Sequence, residues 1–320
     1  MKTINRTLTT LLLAGLLFHS QLAVAVAEET SAEKPEPKAA VEAPAVNYCE
    51  LWAMDADGGN ARKVAHIPDY PIINSPEISH DGTRVAVDGW KTGERNVDAV
   101  ILIVDIKTGD VENHGKGCMP TWAPNGKSIA LCKYGAERGV YIRSLDGKTE
   151  VRIDPQGWGI QWSPDGLKLA YTKRGQFITY TSANDSWDVI APKGWDYNFI
   201  YWNPTWSPDS SKLCFKGRNA QGLEQFAVVN LEGDEPEVQS RISGKGFNPD
   251  IAWHPDGKRI AIPQGAVAGQ FGRMVEFNPA TVADNGEKAG VPVKGQPIER
   301  HNGGMCWSRD GKTLYFISRK

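Results

Sequence analysis

Large and small apolar positions alternate in short bursts along this chain, and each burst follows the same kind of polar turn. The triplets Val85-Ala86-Val87, Ile129-Ala130-Leu131, Leu169-Ala170-Tyr171, Leu213-Cys214-Phe215 and Ile260-Ala261-Ile262 read large, small, large. A period of two puts the large side chains on one face of a strand and the small one on the other. Both faces are apolar, so each sheet needs cover on two sides. Ahead of each turn stands a large apolar residue: Trp122, Trp162, Trp206, Trp253 and Trp307, with Ile78 in the first copy. The turn in its fullest form is Ser-Pro-Asp-Gly. Proline presets φ, aspartate accepts local backbone hydrogen bonds, and glycine takes the left-handed position. Such a turn predicts a hairpin with a bulge.

The unit occurs six times: PEISHDGTRVAV (76–87), PTWAPNGKSIAL (120–131), IQWSPDGLKLAY (160–171), PTWSPDSSKLCF (204–215), IAWHPDGKRIAI (251–262) and MCWSRDGKTLYF (305–316). Its turn acids or amide, Asp81, Asn125, Asp165, Asp209, Asp256 and Asp310, are spaced by 44, 40, 44, 47 and 54 residues. That is the period of a propeller blade of four short strands. The last copy has no further strands after it, whereas Cys49 to Asp55 forms a strand-like run ahead of the first. The N-terminal strands should therefore complete the blade begun by the C-terminal hairpin, which removes exposed edges. The predicted fold is all-β, a six-bladed β-propeller over residues 48–320, closed by N- and C-terminal strands sharing one blade. Three departures from the repeat stand out. His80 and Arg309 replace the turn proline. Ser210 replaces the turn glycine and predicts a strained or altered turn. Tyr315 replaces the small residue and predicts different packing in the last blade.

The unit W-S-P-D-G-x-x-[IL]-A-[FY], best kept from Trp162 to Tyr171, resembles the repeat of TolB-type six-bladed propellers, and also that of propellers in prolyl-oligopeptidase-like enzymes. The resemblance implies the six-bladed fold and a partner-binding role in the cell envelope. TolB carries an α/β domain ahead of its propeller, a place that residues 28–47 occupy here. The prolyl-oligopeptidase-like enzymes carry a hydrolase domain with a G-x-S-x-G elbow, a motif absent from this chain. One fold hosts many functions, so the repeat speaks for fold first.

Composition adds location. Lys2 and Arg6 precede an apolar run from Leu8 to Phe18, and Ala25-Val26-Ala27 supplies a small-x-small cleavage pattern, so residues 1–27 read as a signal peptide. Residues 28–47 are rich in Glu, Ala, Pro and Lys, lack aromatics before Tyr48, and read as a disordered linker. No later stretch is long and apolar enough to suggest a membrane span. The expected location is periplasmic or secreted. Lys and Arg number 36 against 38 Asp and Glu, a balance that argues against nucleic acid as a partner.

Chemistry candidates are few. No H-x-x-x-H or H-E-x-x-H pairing occurs, so no metal or other cofactor is expected. Five cysteines cannot all pair within the chain. Cys118 and Cys132 flank one turn almost symmetrically and are placed either for a disulfide or for two facing thiols. Cys214 sits in the small-residue slot and reads as a buried apolar residue. The aromatic run Trp195, Tyr197, Phe199, Tyr201, Trp202, with Asn203, precedes a repeat hairpin, at the mouth where the innermost strands begin. Trp158, Arg300 and His301 fall at equivalent places. These residues form the predicted ligand- or partner-binding ring, because Trp, Tyr and Arg dominate binding hot spots. With no convergent acid, base, nucleophile or metal set, catalytic residues are expected to be none. The function expected is an exported, non-catalytic propeller binding an envelope or extracellular protein or peptide. The alternative is a polysaccharide-active enzyme such as a sugar lyase, with His301 and Arg300 at the channel mouth and Trp195 and Trp202 as the sugar platform.

Overall fold

A computed structural model describes residues 48–202, 204–233, 235–243, 246–265, 271–280 and 290–320. The proposed signal peptide, the proposed linker and Asn203 lie outside the described residues. Six antiparallel sheets follow one another in chain order. The first blade runs Ile72–Ile78, Arg84–Trp90, Val100–Asp105 and Val111–Lys116, from the hub outward. The second to fifth repeat that order, with innermost strands Cys118–Trp122, Trp158–Trp162, Thr205–Trp206 preceded by Tyr197–Ile200, and Ala252–Trp253. In the sixth, His301–Trp307 and Thr313–Arg319 are joined by Cys49–Asp55 and Arg62–His66. Cys49–Asp55 pairs along its whole length with Thr313–Arg319, from Cys49 opposite Arg319 to Asp55 opposite Thr313. The expected closure is present.

The turns fold as their chemistry demands. In all six, the turn acid or amide accepts the backbone N–H two residues on, from Thr83, Lys127, Leu167, Ser211, Lys258 and Lys312, at 2.8–3.1 Å. Where serine opens the turn, its hydroxyl donates to the same carboxylate, as from Ser79 to Asp81 and from Ser163 to Asp165, both at 2.6 Å. Ser210 does not alter its turn. It adopts φ 61°, and its N–H reaches Ser207 O at 2.9 Å, as the glycines of other copies do.

Packing between blades sets one blade's small face against the next blade's large face. Ala86, Ile101 and Ile103 of the first blade meet Trp122, Ile129, Leu131 and Tyr141 of the second. Ala170 and Phe177 meet Trp206, Leu213 and Phe215 in the same way. The ring closes with the sizes exchanged. Tyr315 of the last blade, in place of a small residue, packs in one cluster with Ile78, Val85 and Val87 of the first, where Ile78 stands in place of Trp. Each departure from the repeat accommodates the other. Cys118 and Cys132 do sit opposite each other, but both thiols are buried and free. The Cys118 thiol approaches Cys132 O at 3.5 Å, and Cys132 Sγ accepts the Gly159 N–H at 3.1 Å. The other three cysteines are also unpaired.

Candidate functional site

Besides a shift between Tyr197 and Phe199 in the fourth blade, the innermost strands carry a register shift between Asn74 and Glu77, Cys118 and Thr121, Trp158 and Gln161, and Gly303 and Met305. Inside each of the latter four shifts one residue is left-handed: Ser75 at 50°, Met119 at 53°, Gly159 at 66° and Gly304 at 50°. A bulge inserts one residue and re-aims the side chains beyond it. The next stretch, from each bulge to its turn, walls a central cavity of about 370 Å³. Trp162, Trp206, Trp253 and Trp307 line it, as do Pro76, Pro120 and Pro204. At its rim stand the turn positions: Pro164, Pro208 and Pro255, and the two replacements His80 and Arg309. The cavity therefore belongs to the end of the ring where the innermost strands finish, here called the distal mouth.

Polar groups share the lining with these apolar walls. Glu77 is half-buried, and its Oε1 accepts Thr121 Oγ1 at 3.1 Å and the Trp122 N–H at 3.3 Å. Its backbone carbonyl accepts Trp122 Nε1 at 3.0 Å, so this one residue ties the first blade to the second. Burial pushes the Glu77 carboxyl up to about 7, against the Arg309 charge and these two hydrogen bonds. Burial, and then the Arg309 charge, push His80 down to about 4, which leaves it neutral near pH 7. Asp250 and Gln161 complete the polar lining, with Ser75 and Thr205. Among the described residues no group of three or more His, Cys, Asp or Glu side chains is arranged to hold a metal ion.

The residues predicted from sequence lie elsewhere, around the proximal mouth and between blades. None of the seven described ones lines the cavity. Trp195 packs on Phe177, Tyr197 and Phe215 with ring centroids 5.2–5.9 Å apart. Tyr197 is buried beneath Arg241, whose Nε lies 3.2 Å from its hydroxyl. Tyr201 donates its hydroxyl to Glu224 and lies under Lys216 Nζ at 4.4 Å. Trp202 is exposed beside Tyr201, just past the Tyr197–Ile200 strand. Trp158 is half-buried between Tyr134 and the Arg138 guanidinium, 4.6 and 4.5 Å from its ring. Arg300 belongs to the ring closure, bonded to Glu50 at 2.6 Å and to Ser318 Oγ at 2.8 Å. His301 Nδ1 accepts the Gly272 N–H at 2.9 Å, and its ring stands edge-on to Phe271 at 4.9 Å. The structure thus pairs Trp195 with Tyr197 in the interior and Tyr201 with Trp202 nearer the surface, and leaves Trp158, Arg300 and His301 apart from them. Sequence reasoning did not single out Glu77 or the tryptophans as cavity walls. The departures at His80 and Arg309 were the available signal.

No family model matches the chain. Among curated proteins it is similar to the Tol-Pal system protein TolB of Francisella tularensis subsp. mediasiatica, 25% identical over 264 residues, which span 64% of this chain and 59% of the relative. It is also similar to the uncharacterized peptidase YuxL of Bacillus subtilis, 24% identical over 206 residues, 59% of this chain and 29% of the relative. The chain thus spans about three fifths of the TolB relative and under a third of the peptidase. The crystal structure of TolB from Acinetobacter baumannii superposes with a TM-score of 0.58 at 16% identity, covering 84% of this chain and 63% of that one. The repeat, the six closed blades and these likenesses agree on the fold: the chain is a six-bladed β-propeller, similar to the propeller of TolB proteins.

Proposed function

We propose that this chain is an exported, non-catalytic propeller that binds an extended segment of a protein partner in the cell envelope, at the distal mouth of its central cavity. The cavity carries this reading. About 370 Å³ is room for a few side chains of an extended peptide, not for a folded domain. Its tryptophan and proline walls are rigid and apolar, surfaces that lose little entropy when a partner is bound. A relative that bears the name of a Tol-Pal system protein agrees with a role in assembly, and with a periplasmic or secreted location. The aromatic run offers a second contact at the proximal mouth, through exposed Phe199 and Trp202 packed on either side of Tyr201. The sugar-lyase reading has less support, because Arg300 is tied into the ring closure and His301 Nδ1 is occupied by a backbone N–H.

The test is site-specific photo-crosslinking in cells, with p-benzoylphenylalanine at His80, at Thr205 and, as a control, at Val189 on the outer strand of the third blade. The expected result is one polypeptide adduct shared by His80 and Thr205 and absent at Val189. No adduct from either cavity position, or equal adducts at all three, would overturn the reading.

A further inference from the structure

Each blade contributes one equivalent residue just ahead of the hub tryptophan or isoleucine: Glu77, Thr121, Gln161, Thr205, Ala252 and Cys306. Each is paired with the middle residue of its triplet, Ala86, Ala130, Ala170, Cys214, Ala261 and Tyr315. All but Thr121 line the cavity, and Glu77 is the single charged member of the set. Both side-chain hydrogen bonds that Glu77 accepts fall on Oε1. Oε2 receives none from the described residues. Five of these positions are neutral, so holding the ring together does not require a charge there. Among the described residues, Asp250 also lines the cavity, and Arg309 at the exposed rim is the one Lys or Arg of the lining, with no salt bridge to Glu77. The lining thus sets tryptophan and proline walls around the Glu77 carboxyl group, whose Oε2 accepts no hydrogen bond from the described residues.

We infer that Glu77 is a specificity-determining residue of this cavity, and that the segment it takes presents a lysine or arginine side chain between apolar or prolyl neighbours. The inference rests on the peptide-binding reading above. A cationic group reaching Oε2 would find a partly desolvated acceptor already held in place by Thr121 and Trp122, and a buried charge is retained when paired. Arg309 across the ring closure and the Cys306 thiol are coupled to Glu77, and His80, neutral near pH 7, and Asp250 line the same cavity. Arg309 acts on Glu77 as a counter-charge but forms no salt bridge with it. Because burial pushes the Glu77 carboxyl up to about 7, a cationic ligand must draw off its proton at lower pH.

The experiment pans random peptides displayed on phage against the full-length protein, its Glu77→Gln variant and a cavity-filling Thr205→Phe variant, each checked by thermal melting. Glutamine keeps an oxygen for Thr121 and Trp122 and removes only the charge. The expected result is a basic consensus on the wild type, bound about tenfold or more weakly by Glu77→Gln and lost from Thr205→Phe. Wild-type affinity should also fall about tenfold from pH 8 to pH 6 and that of Glu77→Gln should not. Peptides that Thr205→Phe blocks but that carry no basic residue, or that ignore Glu77→Gln, overturn the inference and leave the peptide-binding reading standing. Absence of any peptide sensitive to Thr205→Phe overturns both.

Discussion

Ser210 adopts φ 61° in a position where the other five copies place glycine at 66° to 76°. A left-handed L-residue costs roughly 1–2 kcal/mol, while glycine adds roughly 0.5–1 kcal/mol of unfolded-state entropy. Ser210 also has a local return for its strain, since its hydroxyl accepts the Asp165 N–H from the neighbouring blade's turn at 3.2 Å. These effects nearly cancel. Ser210→Gly should therefore stay within about 0.5 kcal/mol of the wild type in urea unfolding, whereas β-branched Ser210→Val should lose about 2 kcal/mol or more. Equal stability of the two variants would show that the turn has slack. Gly166 permits the reverse test. It has φ 76°, and a Cβ there would meet Pro124 Cγ at 2.8 Å, so Gly166→Ala should destabilise by about 1–2 kcal/mol. Conformation and a neighbouring ring oppose the methyl together.

At the scale of elements, the interface between the last and first blades is the informative one. Tyr315 and Ile78 exchange the sizes that the other interfaces keep, and both are buried in one cluster. Tyr315→Ala should cost about 3–4 kcal/mol through the cavity it leaves. Ile78→Trp alone should overpack the same space and cost about 1–3 kcal/mol. The double variant restores the repeat's usual pairing, so a double-mutant cycle should give a favourable coupling of about 1 kcal/mol or more. Strict additivity would mean that the two residues do not share a space. The blades themselves were legible from sequence because their signals are local: a period of two, a four-residue turn and a recurring tryptophan. The compensation was only half legible. Tyr315 and the Ile78 position were visible as departures, but their meeting depends on ring closure, which joins residues more than 200 positions apart in the chain.

At the scale of the whole molecule, the residues singled out from sequence and those lining the central cavity belong to different parts of the ring. Trp195 and Tyr197 look like an exposed aromatic loop in sequence, yet they pack against Phe215 between blades. The hub walls are repeat tryptophans, which sequence assigns to structure, and only His80 and Arg309 break the pattern at the rim. The hub also carries a pH signature. Burial pushes Asp88 up to about 7, against the Met119 N–H it accepts and with the Asp250 charge adding to the rise. Glu77 is raised to about the same value. A raised carboxyl binds its proton more tightly folded than unfolded, so stability falls as pH climbs from the ordinary carboxyl range toward 7 and is flat above it. The turn acids act in the opposite sense. Bonds from Ser79 and the Thr83 N–H hold Asp81 down to about 2, a contribution present above pH 4 and lost as pH falls toward 2. Stability should therefore peak near pH 4–5 and decline by on the order of 5 kcal/mol toward pH 8, about half of it from each carboxyl. Asp88→Asn keeps an oxygen for Met119 and removes the ionisation, so its urea-unfolding profile from pH 5 to pH 8 should be flatter than that of the wild type. Both hub acids lie on the first blade but answer to groups on the second, fifth and sixth, so the decline belongs to the closed ring. A profile that rises toward pH 8, or an Asp88→Asn variant with the wild-type slope, would show that the hub does not hold these carboxyls away from water.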